Sequence, residues 1–336
     1  MSSVEALGGV DQPVAPPTRA GLGRLSWPRL FVVRHSWGEE QMEQRIRPRR
    51  SVLFMPGSNA RAIEKATTLA ADGLIFDLED AVAPDAKAVA RQQVCAAVHA
   101  GGYGQRELVV RVNGLATPWG REDLAEVATC GADAVLLPKV DSAEMIRQAL
   151  SLLHTYGAPD HLAIWCMLET PRGILQAEAI AAAHPRVAAL VMGTSDLVTD
   201  LHARHTPGRL PLLTSLSLCV LAARAYGLTA LDGVHLDLTD DAGFAAVCRQ
   251  AVELGFDGKT LIHPKTIAMA NAIFAPAPAE VTWARTIIAA HAQAVADGRG
   301  VVLVEGKLIE NLHVAEATRV VALADAITAM GATVVT

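Results

Sequence analysis

Six polar residues, Arg111, Lys139, Glu169, Asp196, Asp232 and His263, each stand just past a short apolar run, at intervals of 28, 30, 27, 36 and 31 residues. Two of them are carboxylates that follow consecutive runs, Glu169 in MLETPRG and Asp196 in VMGTSDL. A pair of acids leaves most of an octahedron to water and substrate oxygens, which is how a hard divalent cation such as Mg2+ is held. Arg111 ends VVRVNGL. An arginine among valines is costly to bury unless it meets an anion, either an acid of its own chain or a substrate carboxylate that suits its planar fork. Lys139 in LLPKVDS is open to two readings, an ion pair with an acid such as Glu169 or Schiff-base chemistry. In FDLEDAV, strand alternation sends Asp77 and Glu79 to one side, while Asp80 begins the turn. Such acids either cap the next helix or steady Arg111 and metal-bound water. His263, followed by Pro264, suits the fixing of a turn. In PGSNARAIEKA, Pro56 and Gly57 make a turn and Ser58 or Asn59 caps a helix. Arg61 and Lys65 then lie one helical turn apart, placed either to meet phosphates or to form a solvated face.

A buried run tipped by a polar group about every thirty residues is the layout of a (β/α)8 barrel, which keeps its active site at one mouth. Strand-like runs fall at Ser51–Met55, Gly73–Asp77, Glu107–Val112, Ala134–Leu137, Ala163–Leu168, Ala188–Met192, Thr229–Leu231 and Asp257–Ile262. Alanine-rich amphipathic stretches such as Lys87–Ala100 and Phe244–Leu254 separate them, so parallel pairing through right-handed crossovers follows. An open doubly wound sheet would need a G-x-G-x-x-G turn, and none follows any run. The expected organisation is an N-terminal extension over 1–47, a barrel over 48–275 and a C-terminal helical extension over 276–336. That last part holds a helix near Glu280–Asp297, then GRGVVLVEGKLIEN, then a helix from about Leu312 to Met330. It either caps the barrel or reaches another subunit.

With 51 % hydrophobic but only 4 % aromatic residues, the core must be built from Ala, Val, Leu and Ile, as parallel strands under helices require. A net charge of −6 gives no electrostatic case for nucleic acid. The five cysteines share no metal-type spacing and read as buried free thiols. No apolar run approaches the roughly 20 residues that cross a bilayer, so a cytoplasmic protein without a membrane partner is expected. Residues 1–24 carry Gly, Pro and Ser without period, and Glu5, Asp11, Glu39 and Glu40 argue against an organelle presequence. This part is expected to be disordered, or absent from the native protein with Met42 as its start.

Set side by side, RRSVLFMPGSN, FDLEDAVAPDAK, VVRVNGL, LLPKV, LETPRG, MGTSDL, LGFDGKTLIHPKTI and NAIFAPAP closely resemble the citrate lyase β-subunit-like acyl-CoA lyases of the HpcH/HpaI aldolase superfamily. The resemblance runs from Arg49 to about Ile327. It implies a (β/α)8 TIM barrel, Mg2+ on Glu169 and Asp196, contact of Arg111 with the acid substrate, and a homotrimer or homohexamer. It also implies that an acid in a C-terminal G-x-x-x-D pattern enters a neighbouring subunit's site. Here the pattern reads GKLIENL, with Glu310 in the acid's place, and Leu216 stands where an arginine is common. The extra methylene moves the carboxyl by about 1.5 Å, enough to matter where proton-transfer geometry is tight.

The activity this resemblance implies is Mg2+-dependent carbon–carbon cleavage of a short β-hydroxyacyl-CoA, such as citramalyl-CoA or malyl-CoA, to acetyl-CoA and a 2-keto acid. Arg111 would orient the carboxylate, Glu310 would protonate the enolate, and Asp77, Glu79 and Lys139 would support them. The Pro56–Lys65 segment (Pro56, Gly57, Arg61, Lys65) would hold part of the CoA. Two other activities fit the same residues. One is a thioester hydrolase, in which the longer Glu310 positions water; the other is an aldolase of free hydroxy-keto acids.

Overall fold

The computed structural model of the chain describes residues 47–332. The expected N-terminal extension and the Met42 start therefore lie outside the described residues, except for Arg47, whose guanidinium is 3.1 Å from Asp133. Eight parallel strands close into a barrel in sequence order, with β8 hydrogen-bonded back to β1. They are β1 Ser51–Pro56, β2 Gly73–Asp77, β3 Glu107–Arg111, β4 Ala134–Leu137, β5 Ala163–Leu168, β6 Val187–Met192, β7 Thr229–Asp232 and β8 Gly258–Leu261. Each expected run lies within one residue of its strand at either end. The reason is physical: a parallel strand buried on both faces reads as an unbroken apolar run.

Alternation along each strand divides the core in two. Val52, Ile75, Val109, Leu136, Trp165, Val191 and Leu231 point into the barrel, while Leu53, Leu74, Val110, Val135, Leu190 and Ala230 meet the helices outside. Burying one large side chain of this kind contributes about 1.5–3 kcal/mol. The same parity governs the charges. Two residues beyond Ile75, Val109 and Met167 come Asp77, Arg111 and Glu169, so all three continue the inward row at the C-terminal mouth. At the opposite end Arg49 closes the floor. It donates to both oxygens of Glu107 (2.6 and 2.8 Å) and to Thr229 (2.6 Å), and lies 5.2 Å from the ring centre of Trp165.

Parity also corrects the placement of Asp232 at the mouth. Leu231 belongs to the inward row, so Asp232, the next residue and the last of β7, turns out into the layer between strands and helices. There it accepts from Lys259 of β8 and from Arg209, each at 2.7 Å. His263 stays exposed, and its Nδ1 accepts the backbone N–H of Lys265 at 3.1 Å, capping the turn after β8.

Beyond the barrel, the helix Pro278–Ala296 is followed by a hairpin of β9 Val302–Val304 and β10 Lys307–Ile309, then by the helix Asn311–Ala332. Glu305 and Gly306 form the hairpin turn with φ of 48° and 78°. Two successive left-handed residues match the right-handed twist of the flanking strands. These elements share a small core of Ala284, Ile287, Val304, Ile309, Ala317 and Val320. Among the described residues, no helix is long and apolar enough to cross a membrane.

Candidate active site at the mouth of the barrel

The mouth holds a cavity of about 410 Å³, bordered by Phe54, Pro56, Asp77, Asp80, Arg111, Met167, Glu169, Gly193, Asp196 and Ile262, among others. Arg111 forms its buried side. Its Nε and Nη2 donate to Oδ1 and Oδ2 of Asp77, both at 2.7 Å. Asp77 also accepts the backbone N–H groups of Glu79 (2.9 Å) and Ala81 (3.1 Å), so it is a fixed anchor. Burial opposes the charge on Arg111, but the hydrogen bonds and charge of Asp77 outweigh it and hold the guanidinium pKa above its usual value. The guanidinium carbon lies 4.9 Å from the ring centre of Phe54, and Nη1 is 3.8 Å from the Met167 sulfur.

The bidentate fork of Arg111 is thus committed to Asp77, and Nη1 is the nitrogen left for a ligand. Nη1 lies 3.0 Å from Glu79 Oε2 and 3.5 Å from Asp80 Oδ2. Glu79 Oε2 is buried and accepts no hydrogen bond, so this contact is charge proximity without an aligned N–H. Burial pushes the Glu79 pKa up, with Arg111 pulling it back.

Glu169, only 2 % exposed, ends the inward row of β5. Its Oε1 accepts the backbone N–H of Lys139 at 2.8 Å, and no hydrogen bond from a described residue reaches Oε2. Burial first, then the negative charges of Glu79 and Asp196, push its pKa up to about 8. Gly193 makes room for it, since a Cβ at that position would fall 2.5 Å from Glu169 Oε2. Asp196 lies in the first turn of the helix Thr194–Asp200, with its Oδ2 3.5 Å from Lys139 Nζ. Lys139 Nζ in turn donates to Glu79 Oε1 at 3.0 Å. Although burial lowers it, the Lys139 pKa is raised overall by the hydrogen bond and charge of Glu79. A lysine kept charged is a poor nucleophile, so the ion-pair reading of Lys139 displaces the Schiff-base one.

Five carboxylates (Asp77, Glu79, Asp80, Glu169, Asp196) thus surround two cations, Arg111 and Lys139. Among the described residues, no group of three or more His, Cys, Asp or Glu side chains is arranged as a metal cage. Mg2+ does not require one, because it keeps several waters and takes one or two carboxylates. The excess of acids, the open Oε2 of Glu169 and the position of Asp196 on the same cavity fit that ion.

The other expected site residues are spread more widely. Pro56 borders the cavity. Gly57 is forced by close approach: its N–H donates to Asp77 O at 2.8 Å, and a Cβ would lie 2.7 Å from that oxygen. Arg61 and Lys65 are exposed on the helix Ala60–Ala66, outside the cavity lining. Glu310 sits half-buried where β10 meets the last helix, its backbone N–H donating to His313 Nδ1 at 3.1 Å. It does not border the cavity of its own chain. Leu216 is fully buried in the core face of the helix Leu213–Ala225. Phe54 and Met167, which flank Arg111, were missed as site residues. Their signal is parity, each standing two residues before a residue already singled out.

Residues 50–264 match the family model described as HpcH/HpaI aldolase/citrate lyase. The chain is 48 % identical over 291 residues to the (3S)-malyl-CoA thioesterase of Cereibacter sphaeroides, covering 87 % of this chain and 100 % of that one. It is 35 % identical over 307 residues to the L-malyl-CoA/beta-methylmalyl-CoA lyase of the same species, covering 84 % and 96 %. The solved structure of CitE from Mycobacterium tuberculosis in complex with magnesium, acetoacetate and coenzyme A is similar, with a TM-score of 0.65 and 30 % identity. That match covers 82 % of this chain and 97 % of the other. The first likeness overturns the expected carbon–carbon lyase. The relative that shares nearly half its residues over its whole length is named a thioesterase, whereas the named lyase is markedly more distant.

Proposed function

The chain belongs to the HpcH/HpaI aldolase/citrate lyase family, and from that premise we propose that this enzyme hydrolyses the thioester of a short hydroxyacyl-CoA of the (3S)-malyl-CoA type. The observation that carries the reading is the 48 % identity over the full length of a relative named for that activity. The mouth supports it with polar groups of the right kind. Hydrolysis forms a carbon–oxygen bond to water and breaks the carbon–sulfur bond, with a proton passing from the water to the departing thiolate. The site must therefore hold the acid half, activate the carbonyl and place a water.

Glu169 and Asp196 would hold Mg2+, which when bound supplies a Lewis acid for the substrate's oxygens. Arg111, charged and immobilised by Asp77, offers Nη1 to the substrate carboxylate. Phe54 and Met167 line that side of the cavity and exclude water from around the guanidinium. Arg61 and Lys65, exposed and without ion-pair partners among the described residues, suit the phosphates of CoA. Glu310 acts from a neighbouring copy, where its carboxylate positions the attacking water. Its half-exposed place outside its own cavity is consistent with that role. The assembly is then a homotrimer or homohexamer.

Product analysis tests the reading. Incubation of the purified full-length enzyme with (3S)-malyl-CoA and MgCl2 is expected to yield malate and free CoA in equal amounts. Formation of glyoxylate with acetyl-CoA, or no turnover of the thioester, overturns it.

A further inference from the structure

We infer that the ammonium of Lys139 is a built-in counter-cation for Asp196 which a divalent ion must displace, so that Lys139 is the positioning residue that sets cation affinity at the mouth. This rests on the magnesium reading above and adds to it a competitor from the chain itself.

Two functions meet on Lys139, and the structure separates them. The backbone has φ of 49°, a left-handed conformation disfavoured for a residue with a Cβ. In that conformation its N–H meets Glu169 Oε1 at 2.8 Å, fixing one proposed ligand of the cation. The side chain serves the other ligand. Nζ donates to Glu79 Oε1 at 3.0 Å and stands 3.5 Å from Asp196 Oδ2. The first contact is a charge-assisted hydrogen bond; the second is longer than such bonds run and is held by charge alone. Glu79 therefore keeps the ammonium, and Asp196 is the contact that yields.

The side chain also has room to yield. It is 48 % exposed, against 8 % for Arg111, so the methylene stem can shift off Asp196 while the backbone stays anchored and Nζ stays on Glu79. Until a cation arrives, the ammonium offsets part of the repulsion between Glu79 and Asp196. A tethered ammonium is present at high effective concentration. A monovalent ion brings no more charge than the group it must displace, whereas Mg2+ brings twice as much. Lys139 thereby biases the site towards divalent cations. Because the ammonium remains on Glu79 after yielding Asp196, its repulsion of a bound dication lowers affinity by about tenfold or more.

The test is calorimetric titration of the metal-free, full-length enzyme with MgCl2. Lys139→Met keeps the backbone N–H and most of the stem but removes the charge; it is expected to bind Mg2+ about tenfold more tightly. The same variant should let NaCl compete with Mg2+ more strongly than it does in the unmodified chain. Lys139→Arg, which keeps the charge, should stay within about twofold of the unmodified chain. Unchanged or weaker binding by Lys139→Met overturns the inference and leaves the cation site standing. Absence of Mg2+ binding by the unmodified chain overturns both. Should Lys139→Met lose its fold by circular dichroism, Lys139→Ala is read in the same way, and loss of fold in both variants makes the residue structural and ends the inference.

Discussion

The two ends of the barrel treat charge in opposite ways. At the floor, acids and arginines are matched: Arg49 takes both oxygens of Glu107, and Arg50 takes both oxygens of Asp72, every contact within 2.8 Å. At the mouth, five acids share Arg111 and Lys139, one carboxyl is pushed up to about pKa 8, and Lys139 adopts a left-handed backbone. Matched pairs lower the energy of the fold and leave nothing over for a ligand. Unmatched acids raise it and leave an electrostatic demand that a cation and its substrate can meet. The floor is built for stability and the mouth for chemistry, the division of labour that barrels of this kind follow.

Substitutions at the two ends should therefore separate activity from stability. Glu169→Gln and Asp196→Asn each remove a proposed ligand. Hydrolysis of malyl-CoA is expected to fall by about a thousandfold, several kcal/mol of lost stabilisation, with Mg2+ binding lost and the melting temperature not lowered. Normal turnover by either variant in metal-free buffer would remove the cation from the reaction. Glu107→Ala should do the reverse. It strands the buried Arg49 charge, which costs about 3–5 kcal/mol of stability in denaturant unfolding. The kcat of the folded fraction should stay unchanged; a Glu107→Ala protein as stable as the parent would break the contrast between the two ends.

The same contrast explains what could be read from the sequence. The strands were legible because burial on both faces leaves unbroken apolar runs, and the inward row of Asp77, Arg111 and Glu169 follows from counting by two along them. Asp232 was misplaced because it stands one residue beyond the inward-facing Leu231, whereas Asp77, Arg111 and Glu169 each stand two beyond an inward residue. The left-handed turn at Lys139 was not legible, since Pro138 restricts the residue before it and says nothing of the residue after. Hydrolase and lyase were not separable from the mouth residues alone. Both reactions begin by holding the same thioester by its acid half, so the anchoring groups are common to both, and only relatives of known name divide them.

Glu310 provides a smaller test that separates holding a cation from using it. Glu310→Ala should lower kcat by about a hundredfold, the scale of a lost proton-transfer or water-positioning group, while the Mg2+ affinity measured by calorimetry stays where it was. Full activity would take Glu310 out of the reaction. A parallel loss of Mg2+ affinity would place it among the ligands instead, and the mouth would then carry a further acid from outside the barrel.

The smallest expected effect lies in the pH dependence of the metal-free protein. Folded Glu169 has a pKa of about 8 against 4.5 for the free group, mainly through burial. Between those values the native state therefore holds a proton that the unfolded chain has released. The unfolded state binds fewer protons there, so stability must fall as pH rises through that window. The melting temperature of metal-free enzyme should decline by a few degrees between about pH 5 and pH 8, and Glu169→Gln, with nothing to ionise at that position, should decline less. Mg2+ should reverse the decline more fully at the upper end, where its binding displaces fewer protons. An equal decline in the parent and in Glu169→Gln would show that Glu169 is not the group that destabilises the mouth, and the contrast with the floor would have to rest on its neighbours Glu79 and Asp80.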